Sequence, residues 1–304
     1  MENNLKANKS KAPDNSSTKN VCFLILHYQT IEDTKECINS ILANIKYENY
    51  NIIVVDNGSP NGTGEKLAEL YKNNPKVKII ISENNLGFAR GNNLGFKYIK
   101  NNFDSDFIVM INNDTIMQDQ DFIKKIIEEY EKEPYHILGP KIISLVNQKN
   151  MNPVPVTQKS IEEVKRNIFR LRILLLSNYL RLEGFLRKIK RTLIKKVEND
   201  GLNQINDYML HGSCLVFSKD YIKKYDGLYD KTFLYGEEDI LYFISKRDNL
   251  KMRYFENAFI YHKEDSATNS IVKEGNQKRR FIYKHSLNSL KELYKLMKES
   301  QNQG

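Results

Sequence analysis

Cysteine is scarce: Cys22, Cys37 and Cys214 are the only three in 304 residues. Three thiols cannot staple a fold of this size, and two of them sit in apolar stretches. They read as reduced thiols of a cytoplasmic protein. Proline (7) and glycine (14) are too few for a collagen-like or low-complexity chain. No apolar run approaches the ~20 residues of a membrane span; the longest are VCFLIL (21–26) and FIVMI (107–111). The first 20 residues are polar and lysine-bearing with no apolar centre, which argues against a secretory signal. The residues present suffice for a folded core: 40% are apolar and 11% aromatic, which excludes global disorder. At roughly 150 residues per domain, the length allows one large domain or two small ones. The 47 Lys and Arg against 38 Asp and Glu leave a net charge of +9. That excess fits nucleic acid, an anionic membrane surface or phosphorylated substrates.

The charge is localised. Residues 165–196 hold eleven basic residues and one acidic, Glu183, for a net +10, and everything else sums to −1. The same segment carries a helical apolar stripe through Ile168, Leu171, Leu175, Leu182, Leu186, Ile189, Leu193 and Val197. Elsewhere, apolar runs at 21–26, 51–55, 77–81 and 106–111 read as strands, with helical patterns at 31–45, 64–73, 88–101 and 120–132 between and after them. This alternation predicts βαβ units and a largely parallel sheet. Beyond a connector at 151–156, the pattern predicts a long helix over 160–197 and a strand over 207–217. A helix over 239–247, one or two strands over 253–262 and a polar basic helix at the C-terminus complete it. Residues 1–19 read as a disordered tail.

Ligands of open α/β sheets bind outside the carboxyl ends of parallel strands. Here those ends are polar: His27-Tyr28, Asp56-Asn57-Gly58-Ser59 and Asn112-Asn113-Asp114-Thr115. Each alone is an ordinary turn; three along one edge point to a site. Asp56 suits hydrogen bonds from a base or ribose. Asp114 beside two amides suits Mg²⁺ or Mn²⁺, which take oxygen ligands and keep substrate phosphates in their shell. Between them, NNLGFARGNNLG (84–95) spaces Gly87, Gly91 and Gly95 every four residues among asparagines and Arg90. Such a segment offers close backbone approach and donors to phosphate or sugar oxygens. It is neither a P-loop nor a dinucleotide fingerprint.

Together with HGSCLVF (211–217) and FLYGEEDIL (233–241), the ordered motifs HYQT, VVDNGS, NNLGFARGNNLG and INNDT resemble the family 2 glycosyltransferases, in the bacterial rhamnosyltransferase-like branch. The resemblance implies an α/β GT-A (Rossmann-like) nucleotide-diphospho-sugar transferase fold over 20–265. Residues 150–205 would be a basic helical insertion and 266–304 a C-terminal basic helix. It implies a metal-dependent, inverting transfer from a UDP- or dTDP-linked sugar to a glycan or lipid-linked hydroxyl, with cell-surface polysaccharide biosynthesis as its setting. By the same resemblance, Asp56, Asn57, Asn85, Arg90, Asn93 and Asn113 belong to the donor pocket. Asp114, with Asn112 replacing the first aspartate of the family's DXD motif, belongs to the Mn²⁺ or Mg²⁺ site, to which the late His262 adds. One of Glu237, Glu238 and Asp239 is the base, with Glu238 preferred and Asp239 second. By residue type alone these three acids are equally a helix N-terminus, where the macrodipole favours them. His27, His211 and Tyr28 carry less weight, because such residues at strand ends need no function.

For the basic segment two readings stand: a helix packed on its own domain with a solvated basic side, or an interfacial helix on anionic lipid. The second would place a cytoplasmic protein peripherally on the inner face of the plasma membrane. The segment has no Trp, and Tyr179 is its only Tyr. Nucleic acid is not expected as a partner, because the basic charge lies on a helix with an apolar stripe. The nucleotidyltransferase alternative lacks its Gly-rich basic signature at the first strand. A non-catalytic family member that binds nucleic acid or membrane is the remaining alternative.

Overall fold

The computed structural model describes residues 18–181, 207–264 and 275–302. Strands β1 (Val21–His27), β2 (Tyr50–Asp56), β3 (Val77–Ile81) and β4 (Phe107–Asn112) alternate with helices α1 (Ile31–Asn44), α2 (Thr63–Tyr71) and α3 (Phe88–Asn102). The short β5 (Thr115–Ile116), α4 (Phe122–Lys132) and β6 (Ile137–Ser144) come next. Then come β7 (Val154–Pro155), α5 (Ile161–Tyr179), β8 (Tyr208–Met209) and β9 (Cys214–Ser218). The chain continues with α6 (Lys219–Lys224), α7 (Glu237–Arg247), β10 (Met252–His262) and α8 (Gly275–Gln301).

Eight strands form one sheet in the order β3-β2-β1-β4-β9-β6-β10-β5. β3, β2, β1 and β4 are mutually parallel, β9 runs antiparallel between β4 and β6, and β10 lies parallel to β6. Consecutive strands move outward from β1 on one side, and the chain then crosses back to place β4 on the other. The gap between β1 and β4 is thus a topological switch point, where such sheets bind ligands.

The strand residues explain both faces. Phe23, Ile25, Ile52, Val54, Val109 and Ile111 alternate onto one face and pack with Cys37, Ile38 and Ile41 of α1 and Ile123 and Ile126 of α4. Cys22, Leu24, Ile53, Val55, Ile108 and Met110 take the other, against α3, α7 and α8. Burial on both faces is why these strands read as continuous apolar runs. Gly91 and Gly95 let α3 lie flush on the sheet: a Cβ at Gly95 would stand 2.3 Å from Leu24 Cδ1. The four-residue glycine spacing, expected to admit a ligand, at these two positions admits the sheet.

β6 has no counterpart among the expected strands, because Gly139-Pro140 in its middle reads as a turn. Pro140 has no N–H for the ladder, and β10 shifts register there: Phe255 pairs with Pro140, and Phe259 with the next residue, Lys141. The long helix expected over 160–197 is seen as α5, which ends at Tyr179 with Leu180 as its C-cap; residues 182–206 lie outside the described residues. Ile168, Leu171 and Leu175 of its expected stripe pack inward, in the same core as α8. Of the tail expected over 1–19, residues 1–17 lie outside the described residues. The Lys19 carbonyl accepts from Tyr47 Oη at 2.8 Å and the Thr18 carbonyl from Asn49 at 3.2 Å. No helix among the described residues is long and apolar enough to cross a membrane.

Candidate active site

A cavity of about 360 Å³ opens at the carboxyl edge, at the switch point. Its wall contains Tyr28 after β1, Asn57 after β2, and Asn112, Asn113 and Asp114 at the end of β4. From the far half come the 211–213 turn, the 233–235 loop, Glu237 and Glu238 at the start of α7, and His262 at the end of β10.

The nucleotide-side wall is built by asparagines. Asn57 Nδ2 donates to Asn85 Oδ1 at 3.1 Å and to the Gly87 carbonyl at 3.2 Å, and its Oδ1 accepts from Leu86 N at 2.9 Å. This folds the 84–87 loop over the strand end. Gly87 completes the turn with φ +82°, and a Cβ there would lie 2.4 Å from the Phe233 carbonyl oxygen. Phe88 N donates to that same carbonyl at 2.7 Å, which joins the two halves of the site. Asn113 Nδ2 donates to Thr30 Oγ1 at 2.7 Å and Thr34 Oγ1 at 2.9 Å, pinning the β4 end to α1.

Asp114 and His262 meet in the wall, with His262 Nε2 3.1 Å from Asp114 Oδ1. Both are buried, and the second imidazole nitrogen, Nδ1, has no hydrogen-bond partner. Beside His262, at 5.9 Å between ring centroids, stands His211. Burial holds His211 below the ordinary histidine pKa, although Glu238 and Asp114 pull the other way. Its Nδ1 accepts from Ser213 N at 3.2 Å, so in the neutral ring the proton sits on Nε2.

Glu237 and Glu238 occupy the first turn of α7, where the N-terminal dipole favours acids. Glu238 Oε1 accepts from Gly212 N at 3.2 Å, and a Cβ on Gly212 would meet that oxygen at 2.7 Å. Glu237 Oε1 accepts from Thr232 Oγ1 at 3.1 Å. Burial, and secondarily the charge of Glu238, push Glu237 up to about 7. Folding therefore favours its protonated form. The resulting stabilisation is full below the unfolded carboxyl pKa and is lost as pH rises to about 7. Relative to Glu237→Gln, the native chain should lose about 3 kcal/mol of stability between those limits, given 1.36 kcal/mol per pKa unit. Urea unfolding of both proteins across that range checks it; parallel pH dependences would refute the assignment.

Eight of the expected site residues converge on the cavity: Asn57, Asn85, Asn112, Asn113, Asp114, Glu237, Glu238 and His262. Four do not line it. Asp56 is buried beneath its turn, where Ser59 Oγ donates to it and desolvation raises its pKa. Arg90 is exposed on α3, its Nε donating to Leu86 O at 3.2 Å. Asn93 clamps Leu228 through both amide functions at 2.7 Å, tying α3 to the chain before the 233–235 loop. Asp239 points into a neighbouring groove, where it accepts from Thr157 Oγ1 at 2.7 Å; burial raises its pKa and that hydroxyl opposes the rise. His27 is wholly buried between Thr34 Oγ1 at 2.7 Å and Thr63 Oγ1 at 2.9 Å, and burial pushes it down to about 4. It is a neutral staple of α1 and α2.

The family model described as glycosyl transferase family 2 matches residues 22–226. The chain belongs to this family. Among family 2 relatives, it is 23% identical over 229 residues to the low-salt glycan biosynthesis hexosyltransferase Agl10 of Haloferax volcanii, covering 75% of this chain and 62% of Agl10. It is 29% identical over 127 residues to the poly-beta-1,6-N-acetyl-D-glucosamine synthase of Staphylococcus aureus, covering 41% of this chain and 29% of the synthase. The chain thus spans less than two thirds of either relative. Among solved structures, S. aureus TarS 1–349 in complex with UDP-GlcNAc superposes with a TM-score of 0.54 at 14% identity, over 81% of this chain and 59% of that one. The fold of this family 2 chain is accordingly GT-A. Residues 211–213 and 233–235 also line the cavity, beyond the residues that sequence reasoning assigns to the site. Their signal lies in the motifs HGSCLVF and FLYGEEDIL, where the acids alone stand out by chemistry.

Proposed function

We propose that the chain transfers a sugar from a nucleoside diphosphate to a hydroxyl of a glycan or lipid-linked acceptor, with inversion at the anomeric carbon, in cell-surface polysaccharide biosynthesis. One observation carries this reading: a single cavity at the switch point joins the Asp114–His262 pair to the Glu237–Glu238 pair. The similarity to a glycan biosynthesis hexosyltransferase and a poly-beta-1,6-N-acetyl-D-glucosamine synthase supports glycan synthesis, and the UDP-GlcNAc complex of TarS favours a UDP-linked over a dTDP-linked donor.

A divalent cation, Mg²⁺ or Mn²⁺, fits the pair. Asp114 supplies a carboxylate, and His262 supplies an imidazole whose Nε2 stands 3.1 Å from Asp114 Oδ1, so one ion could be held by both. Among the described residues no group of three His, Cys, Asp or Glu converges for a metal, so donor oxygens and water would complete the shell. Bound there, the ion would supply Lewis-acid stabilisation of the departing diphosphate. The chain's own residues do the rest. Asn57 braces the 84–87 loop that walls the donor side of the cavity, and Asn112 and Asn113 fix the strand end that carries Asp114. Glu238 takes the acceptor hydroxyl's proton as that oxygen attacks the anomeric carbon and the diphosphate leaves. Glu237, whose protonated form burial favours, sits beside Glu238 with less like-charge repulsion than a second carboxylate would bring. The 233–235 loop and Tyr28 wall the cavity beside these residues.

The test is a thermal-shift screen with UDP, GDP, dTDP and CMP, each with and without Mn²⁺. Stabilisation follows RT ln(1 + [L]/Kd), so a nucleotide at about 100 Kd raises stability by about 2.7 kcal/mol. UDP should give this shift, and only with the metal. No response to any nucleotide would overturn the reading.

A further inference from the structure

Large apolar side chains are unevenly exposed on this molecule. Of nine such exposed residues among those described, five lie on or at the end of α5: Phe169, Ile173, Leu176, Tyr179 and Leu180. Phe169 is 65% exposed, Ile173 46%, Leu176 60% and Leu180 57%. These four recur at i, i+4, i+7 and i+11, so they form one stripe along the helix. It is distinct from the buried stripe through Ile168, Leu171 and Leu175. At roughly 100° per residue, Lys165 and Arg172 flank the exposed stripe on one side and Arg166 and Arg170 on the other. The only acids of α5 are Glu162 and Glu163 in its first turn, and Glu163 pairs with Arg166 at 3.5 Å. From 165 to 181 there are five basic residues and no acidic one. Arg280 of α8 stacks 4.1 Å over the Tyr179 ring and adds a cation at the same end.

We propose that this outward face of α5 docks on an anionic lipid surface. Phe169, Ile173, Leu176 and Leu180 would enter the headgroup layer, and the flanking basic residues would meet lipid phosphates. An apolar stripe bordered on both sides by Lys and Arg is the pattern of an interfacial helix. The charge selects among occupants. A second copy of the chain would bring the same basic residues face to face across a two-fold interface. Residues 182–206 carry six basic residues against Glu183, Glu198 and Asp200, a net +3, so they too would bring excess positive charge to this face. An anionic bilayer satisfies both the apolar stripe and its borders. Placement matters for the site, because Arg170, Leu171 and Leu174 also wall a groove of about 320 Å³ shared with Gly236 and Asp239, the latter next to Glu238. The docking itself does not depend on the transferase reading.

The experiment is sedimentation of the full chain with phosphatidylcholine vesicles, with and without about 30 mol% phosphatidylglycerol, alongside unfolding midpoints and light scattering. Binding should require the anionic lipid and fall at least tenfold between about 0.05 M and about 0.5 M salt. Phe169→Ser/Leu176→Ser should lower the partition coefficient about tenfold or more, with the unfolding midpoint unchanged. Arg166→Glu/Arg172→Glu should do the same by reversing two charges. No binding, equal binding to neutral vesicles, or unchanged binding by both variants overturns the proposal. So does a dimer lost in the serine variant, which identifies a second copy as the occupant. A lowered midpoint in the serine variant overturns it as well, because it shows that the chain itself covers the face.

Discussion

Replacing Asp114 by alanine is expected to lower kcat/KM by about 10³ or more, a loss of about 4 kcal/mol of transition-state stabilisation. Asp114 is the carboxylate at the end of β4, 4% exposed and paired with His262. The neighbouring Asn112 and Asn113 offer neutral oxygens, and Asn113 Nδ2 is already committed to Thr30 and Thr34. No second carboxylate on this strand end can take over. Alanine also strips a buried imidazole of its acceptor, which costs about 1–3 kcal/mol of stability. Asp114→Asn separates these effects. It keeps the shape and an acceptor for His262 but removes the charge. Turnover should fall nearly as far in Asp114→Asn as in Asp114→Ala, while the unfolding midpoint stays closer to the native value. The metal-dependent part of the UDP thermal shift should vanish in both. An asparagine variant with near-normal turnover and an intact metal response would remove Asp114 from the metal site.

Much of this site is legible in the sequence because its residues end apolar strands buried on both faces. A continuous run such as VCFLIL or FIVMI marks a central strand, and the residues directly after it stand at the sheet's carboxyl edge. That logic finds Asn57, Asn112, Asn113, Asp114 and His262 without knowledge of sheet order. It misses β6, whose Gly139-Pro140 imitates a turn and is accommodated by a register shift in the partner strand β10. The family resemblance, for its part, puts Arg90 and Asn93 in the donor pocket, on a Gly- and Asn-rich segment that looks alike whether it faces phosphate or protein. Gly91 and Gly95 face the sheet, and Asn93 faces Leu228, 135 residues away in the chain. No local pattern encodes that partner. The α5 face is illegible for a related reason. Both Ile168 and Phe169 are apolar, and only the packing of α8 decides which of them is buried.

The second large effect concerns the base. Glu238→Gln is expected to lower kcat by about 10² to 10⁴, the usual range for losing a positioned proton acceptor, with little change in KM for the donor. Glutamine keeps the volume and an oxygen for Gly212 N–H, so the 3.2 Å hydrogen bond survives while proton affinity is lost. The two neighbouring acids supply controls. Asp239 is turned into the groove and held by Thr157, so Asp239→Asn should change kcat only slightly. Glu237 is in the cavity, and its pKa of about 7 owes its second contribution to Glu238. Neutralising Glu238 therefore lowers the Glu237 pKa, and the stability loss between acid and neutral pH should shrink in Glu238→Gln. A rate profile and a stability profile then report on different residues. If Glu237→Gln were the variant that lost 10²-fold or more in kcat while Glu238→Gln did not, Glu237 would be the base. Its elevated pKa would then set the acid limb of activity directly, with rate rising through about pH 7 as it ionises.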